Sequence, residues 1–90
     1  MWILYILLGD KDFFYVGITG NIEKRLKRHR GRYEIYTKRF KEIDLVYKEY
    51  YDFRADAESR EKQIKGWSRE KKKALIAGDI DKLKELSKSK

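Results

Sequence analysis

Ninety residues suffice for one domain with one small core, and the absence of cysteine removes disulfides, thiolate nucleophiles and zinc fingers. A net charge of +8, from 23 Lys and Arg against 15 Asp and Glu, points to a polyanionic partner, nucleic acid first. The lone histidine excludes a His-rich metal cluster, no apolar stretch is long enough to span a bilayer, and the short apolar start lacks a signal peptide's basic head, so a cytoplasmic protein is expected.

The chain opens on "WILYILL", residues 2–8, an apolar run rich in β-formers. "GDKD" supplies turn chemistry and "FFYVGI" resumes the β-prone composition, which together predict a hairpin. Neither run alternates strictly, so cover on part of both faces is expected. Thr19 or Asn21 can cap a helix from Ile22 that Gly31 stops. Residues 32–42 are polar, basic and tyrosine-containing. "IDLVYKEYY", 43–51, predicts a third strand in which Leu45, Tyr47 and Glu49 alternate with Val46, Lys48 and Tyr50.

Three helices complete the reading: one over "RADAESREKQIKGW" to Gly66, a second capped by Ser68 and ending at Gly78, and a short third capped by Asp79 that carries Ile80, Leu83 and Leu86. The terminal "SKSK" is expected to fray. No linker or repeat divides the chain, so residues 1–90 are read as a single domain with 79–90 a C-terminal helix and frayed tail. The order β-β-α-β-α-α-α belongs to the α+β class, three strands needing helices to complete a core.

At about 100° per residue, Ile22 and Leu26 mark the inner side of the first helix, His29 falls within about 20° of Ile22, and Arg25 lies about 60° to its flank. Lys24, Lys27 and Arg28 project the other way, toward solvent or a phosphate. By geometry alone Arg25 and His29 read either as partly buried packing residues or as a functional pair. In the next helix Phe53, Ala57, Ile64 and Trp67 share a face, Glu61 borders it, and Arg60 sits awkwardly inside it. Glu61 is either a pocket carboxylate or an exposed ion pair with Lys65 at i+4. Tyr5, Tyr15, Tyr33, Tyr36, Tyr47, Tyr50 and Tyr51 read as packing residues, with base stacking as the alternative.

The succession "LYIL", "YVGIT", "RLKRH" and "SREKQIKGW" resembles the GIY-YIG nuclease superfamily, more closely its small single-domain branch, similar to the nuclease module of excision-repair endonucleases. The likeness spans roughly residues 2–77. It matches Tyr5 and Tyr15 to the two signature tyrosines, with Gly17 as the closing glycine of the second half. It matches Arg25 to the helix arginine, His29 to a position held there by His or Tyr, and Glu61 to the metal-binding glutamate. Two departures stand out: Ile3-Leu4-Tyr5 replaces Gly-Ile-Tyr, and residues 69–78 contain no match for the asparagine often found near the module's end.

The resemblance implies a three-stranded antiparallel sheet flanked by helices and a metal-dependent DNA endonuclease, directed by structure more than by sequence. Glu61 would hold one Mg²⁺ or Mn²⁺, Arg25 would contact the scissile phosphate, and Tyr5 would lead as general base with help from Tyr15 or His29. Lys24, Lys27, Arg28, Lys38 and Arg39 would follow the DNA backbone. The alternative is a nucleic-acid-binding module of the same fold with weak or lost chemistry.

Overall fold

A computed structural model of the chain describes residues 1–31 and 40–88. Its elements run β1 (Trp2–Gly9), β2 (Phe13–Thr19), α1 (Ile22–Arg30), β3 (Ile43–Tyr51), α2 (Arg54–Lys65), α3 (Arg69–Ala77) and α4 (Ile80–Lys88), the order expected from the sequence. The three strands form an antiparallel sheet in the order β2-β1-β3, so β1 is central and β2 is an edge.

Strand alternation sorts β1 between two layers. Leu4 and Ile6 face one way and pack with Val16, Ile64 and Leu75, which seats α2 and α3 on that face. Tyr5 and Leu7 face the other way and pack with Phe40, Ile43, Ile22 and Leu26, which seats α1 on the opposite face. Both faces are covered, as the unbroken apolar runs imply.

The β1/β3 register pairs Ile6 with Tyr47 and Leu7 with Leu45, leaving Val46 as the extra residue of a bulge. The bulge breaks the simple alternation expected for β3: Leu45 joins the α1 side, whereas Tyr47 packs on the α2 side. The β1–β2 turn is closed by a bond from Asp12 N–H to Gly9 O (3.0 Å), and Asp10 and Lys11 both adopt positive φ, 50° and 60°, as in a type I′ turn.

The helix ends follow local chemistry. Of the two candidate caps for α1, Asn21 does the capping, its Oδ1 accepting from Lys24 N–H at 3.1 Å, while Thr19 Oγ1 bonds the Asn21 backbone. Ser68 Oγ and Asp79 Oδ1 accept from the Lys71 and Lys82 amides at 3.2 and 3.0 Å. Gly78, at φ 72°, ends α3 in the left-handed conformation that a side chain would disfavour. One expectation fails at a helix end. Phe53 is the N-cap of α2 and 70% exposed, so it does not extend the Ala57–Ile64 face. Helix α4 continues through Ser87 and Lys88, its last turn tied by Ser87 Oγ donating to Leu83 O.

Candidate active site

Tyr5 stands at the centre of β1 directly opposite Gly17 of β2, and its ring leans across that glycine. A Cβ at Gly17 would lie 2.6 Å from the Tyr5 hydroxyl oxygen and 2.8 Å from Cζ, with Tyr15 Cε1 at 3.2 Å. The glycine is therefore needed for space: only a residue without a side chain lets both tyrosine rings come together over the strand. The Tyr5 hydroxyl shares a hydrogen bond of 3.0 Å with Nε2 of His29, whose ring comes from the last turn of α1. His29 stands edge-on to both tyrosines, with centroids 5.9 Å from Tyr5 and 5.1 Å from Tyr15. The two tyrosine centroids are 6.3 Å apart.

Three of the residues singled out in the sequence thus meet in one cluster. Tyr5 and His29 are fully buried, whereas Tyr15, on the edge strand, is half-buried. Arg25 lies one turn before His29 and is half-buried, which agrees with its place on the flank of the apolar stripe. Lys24, Lys27 and Arg28 are exposed on the outer side of α1, as expected. Lys38, Arg39, Tyr33 and Tyr36 lie outside the described residues.

Glu61 comes from the other layer. It rises from α2 beside a groove of about 720 Å³ whose wall includes Ile18 of β2, Arg54, Glu58, Lys62 and Lys65. None of Tyr5, Tyr15, Arg25 or His29 lines this groove. The connection runs over the free edge of β2, where Gly17 underlies the tyrosines and its neighbour Ile18 borders the glutamate's groove. Glu61 is paired with Lys65 at 3.4 Å, the i,i+4 contact foreseen from the spacing, and its side chain retains 23% exposure. No group of three or more His, Asp or Glu side chains suited to a metal occurs among the described residues. Half-buried Glu61, with Glu58, which Arg54 holds at 2.6 Å, on the same groove, fits a hard cation that keeps most of its water, such as Mg²⁺ or Mn²⁺, and does not fit a closed all-protein cage.

A second polar cluster, unrecognised in the sequence, occupies the α2 face of β3. Tyr47 and Tyr51 each donate to Glu49 at 2.5 Å, and Arg60 Nε and Nη2 reach the same carboxylate at 3.0 and 3.1 Å. The Arg60 guanidinium also lies over Trp67, 5.1 Å from the ring centroid. This explains the arginine that looked misplaced in the apolar stripe of α2: its head is held by an acid on the sheet. Burial raises the Glu49 carboxyl, but hydrogen bonds from Arg60, Tyr47 and Tyr51 outweigh it and leave the group below its ordinary value. Burial and then the Glu49 charge push the two phenols up to about 12.

A sheet of this order with paired tyrosines over a glycine, a histidine behind them and a carboxylate on the following helix defines one class of protein. The match to the model of the GIY-YIG catalytic domain extends over residues 1–74, and the chain belongs to that family. It is similar to a UPF0213 protein of Staphylococcus saprophyticus, 39% identical over 75 residues, which cover 82% of this chain and 92% of that one. A UPF0213 protein of Natronomonas pharaonis is 35% identical over 77 residues, covering 84% and 91% of the two chains. Among solved structures, the solution structure of a UPF0213 protein from Bacillus halodurans superposes with a TM-score of 0.56 at 29% identity, covering 86% of this chain and 84% of that one. No helix among the described residues is long and apolar enough to cross a membrane.

Proposed function

We propose that this chain is a metal-dependent endonuclease that hydrolyses phosphodiester bonds in DNA, chosen by strand structure more than by sequence. The observation that carries the reading is the Tyr5–His29–Tyr15 cluster closed over Gly17, in a chain of the GIY-YIG family. A strand lying across the β2 edge would meet the cluster from one side and Glu61 from the other.

Hydrolysis needs an activated water in line with the leaving oxygen, charge stabilisation at the phosphorus oxygens and neutralisation of the departing alkoxide. Tyr15 reaches solvent and Tyr5 does not, so Tyr15 is the phenol placed to take a proton from water. In this reading Tyr5, first expected as the leading base, supports Tyr15 through its hydrogen bond with His29. A phenol with an ordinary pKa of about 10 ionises near neutrality only beside positive charge, which Arg25 would supply in this reading. Arg25 contacts the scissile phosphate with its forked donors. Glu61, now in contact with Lys65, would hold a divalent cation, Mg²⁺ or Mn²⁺. That ion, when bound, lends charge to the phosphate and the leaving oxygen. Lys24, Lys27 and Arg28, with Lys38 and Arg39, bind flanking phosphates.

The separation of the Glu61 groove from the four other residues favours a second reading, a nucleic-acid-binding module without efficient chemistry. One assay divides the two. End-labelled single-stranded, duplex and flapped DNA are incubated with Mg²⁺ or EDTA, and binding is measured in parallel. The nuclease reading expects cleavage only with the metal, a loss of about 10²-fold or more in Glu61→Ala with DNA binding kept, and a larger loss in Tyr15→Phe than in Tyr5→Phe. Binding without cleavage of any substrate supports the second reading instead, whereas Glu61→Ala cutting like the wild type would remove Glu61 from the reaction centre.

A further inference from the structure

At the hairpin end of the sheet, on the face covered by α3, a cleft of about 330 Å³ has an apolar floor that includes Leu8, Phe14 and Ile76, and a rim carrying Lys11, Arg69 and Lys73. Its size is at the small end of ligand pockets. Two of its features are unexpected for plain packing. Lys11 holds φ 60°, a left-handed conformation that glycine fills without strain, and it pairs with no acid among the described residues. The Arg69 guanidinium lies over Phe14, its carbon 4.8 Å from the ring centroid, while holding the carbonyl and carboxylate of Asp12 in the turn. Lys73 keeps only a long contact of 3.9 Å with Glu70. A strained, unpaired lysine beside an arginine stacked on an aromatic ring fits a group that is flat and apolar at one end and anionic at the other.

The position of the cleft matters as much as its chemistry. Phe14 and Ile18 both pack on the α2/α3 side of β2, and Ile18 borders the Glu61 groove. Four steps along the strand separate them, about 13 Å, the rise of about four stacked nucleotides.

We infer that this cleft is a second nucleic-acid contact, in which an unpaired nucleotide of the substrate strand lays its base against Phe14 and Arg69 and its phosphate between Lys11 and Lys73. The inference rests on the nuclease reading for the direction of the strand along β2, but the contact itself needs neither metal nor Glu61. It anchors the strand a few nucleotides from the bond to be cut, and it gives this small chain a preference for substrates with an unpaired segment.

The test is binding of a fluorescein-labelled 12-nucleotide single strand in EDTA, followed by anisotropy over a series of salt concentrations. Lys11→Gly and Lys73→Ala should each weaken binding about three- to fivefold and lower the slope of log affinity against log salt by about 0.7, the value for one phosphate contact to a single strand. Lys82→Ala, which removes an exposed lysine of α4, should leave that slope unchanged. Lys11→Gly should also raise Tm by about 3 °C, since it relieves the turn, so weaker binding cannot come from a damaged fold. Slopes and affinities equal to the wild type in both variants would overturn the contact while leaving the nuclease reading standing. Reduced slopes in a protein that shows no Mg²⁺-dependent cleavage would uphold the contact and remove the nuclease reading alone.

Discussion

Two tyrosine clusters occupy opposite faces of the same three strands. On the α1 face, Tyr5 and Tyr15 surround a histidine above a glycine, and the edge-strand member reaches solvent. On the α2 face, Tyr47 and Tyr51 converge on Glu49, which Arg60 closes off. The second cluster has an acid whose acceptor capacity is consumed by three side chains, so it has nothing left for a substrate. The first has groups that bond each other and still open toward an edge. The lesson is that a hydrogen-bonded tyrosine is no sign of chemistry by itself; what marks the second cluster is that its carboxylate is already spent on an internal ion pair with Arg60.

That contrast can be broken at either cluster. The largest effect is expected from Gly17→Ala, because the new methyl would overlap the Tyr5 ring end. Cleavage should fall by about 10²-fold, the cost of displacing reacting groups by an ångström, with a loss of stability of about 1–3 kcal/mol. Rates on saturating substrate and a thermal melt separate the two. Glu49→Ala acts the other way round. It leaves the Arg60 guanidinium and two phenols without their acceptor and should lower stability by about 2 kcal/mol, a drop in Tm of about 10 °C, while the remaining folded protein cleaves normally.

The pH dependence of stability sharpens the same comparison. Tyr47 and Tyr51 are pushed up to about 12 from 10, so the folded chain keeps their protons where the unfolded chain has lost them. Their contribution is complete below pH 10 and is lost as pH rises toward 12. Glu49, held below its ordinary value, contributes above the ordinary carboxylate range and loses that contribution as pH falls through its folded value. Urea midpoints measured from neutral to alkaline pH should fall more gently in Tyr47→Phe/Tyr51→Phe than in the wild type. An identical alkaline slope would mean that burial and the bonds to Glu49 do not raise the two phenols. The smallest effect is that of Lys65→Ala, whose contact with Glu61 is a surface i,i+4 pair worth about 0.3–0.5 kcal/mol; its melt should be nearly unchanged.

The residues of the first cluster stand out through the motifs that resemble the family, residue pattern alone reading the tyrosines as packing, whereas no motif marks the second cluster. Turn chemistry at "GDKD", the Asn21 cap and the apolar stripe through Ile22 and Leu26 are local, and they carry His29 and Arg25 to the inner side of α1. The Glu49–Arg60 contact joins residues eleven apart on a strand and a helix, and nothing in helical periodicity pairs them. Its only trace was an arginine inside an apolar stripe, a pattern that asks for a buried acid. The bulge at Val46 is equally silent in the sequence, and it is what separates Leu45 from the face of Tyr47. The reason for Gly17 also becomes visible only when Tyr5 is seen lying across it.

The account stands on the claim that side chains from the two faces act on one phosphate across the β2 edge. A double-mutant cycle on Mg²⁺-dependent cleavage measures this, with Tyr15→Phe made both in the wild type and in Glu61→Ala. If the two groups serve one reaction centre, Tyr15→Phe costs about 10²-fold in the wild type and less than about tenfold once Glu61 is gone, because groups that act as a unit lose their effect together. Losses that multiply in full would show that the tyrosine and the glutamate do not meet.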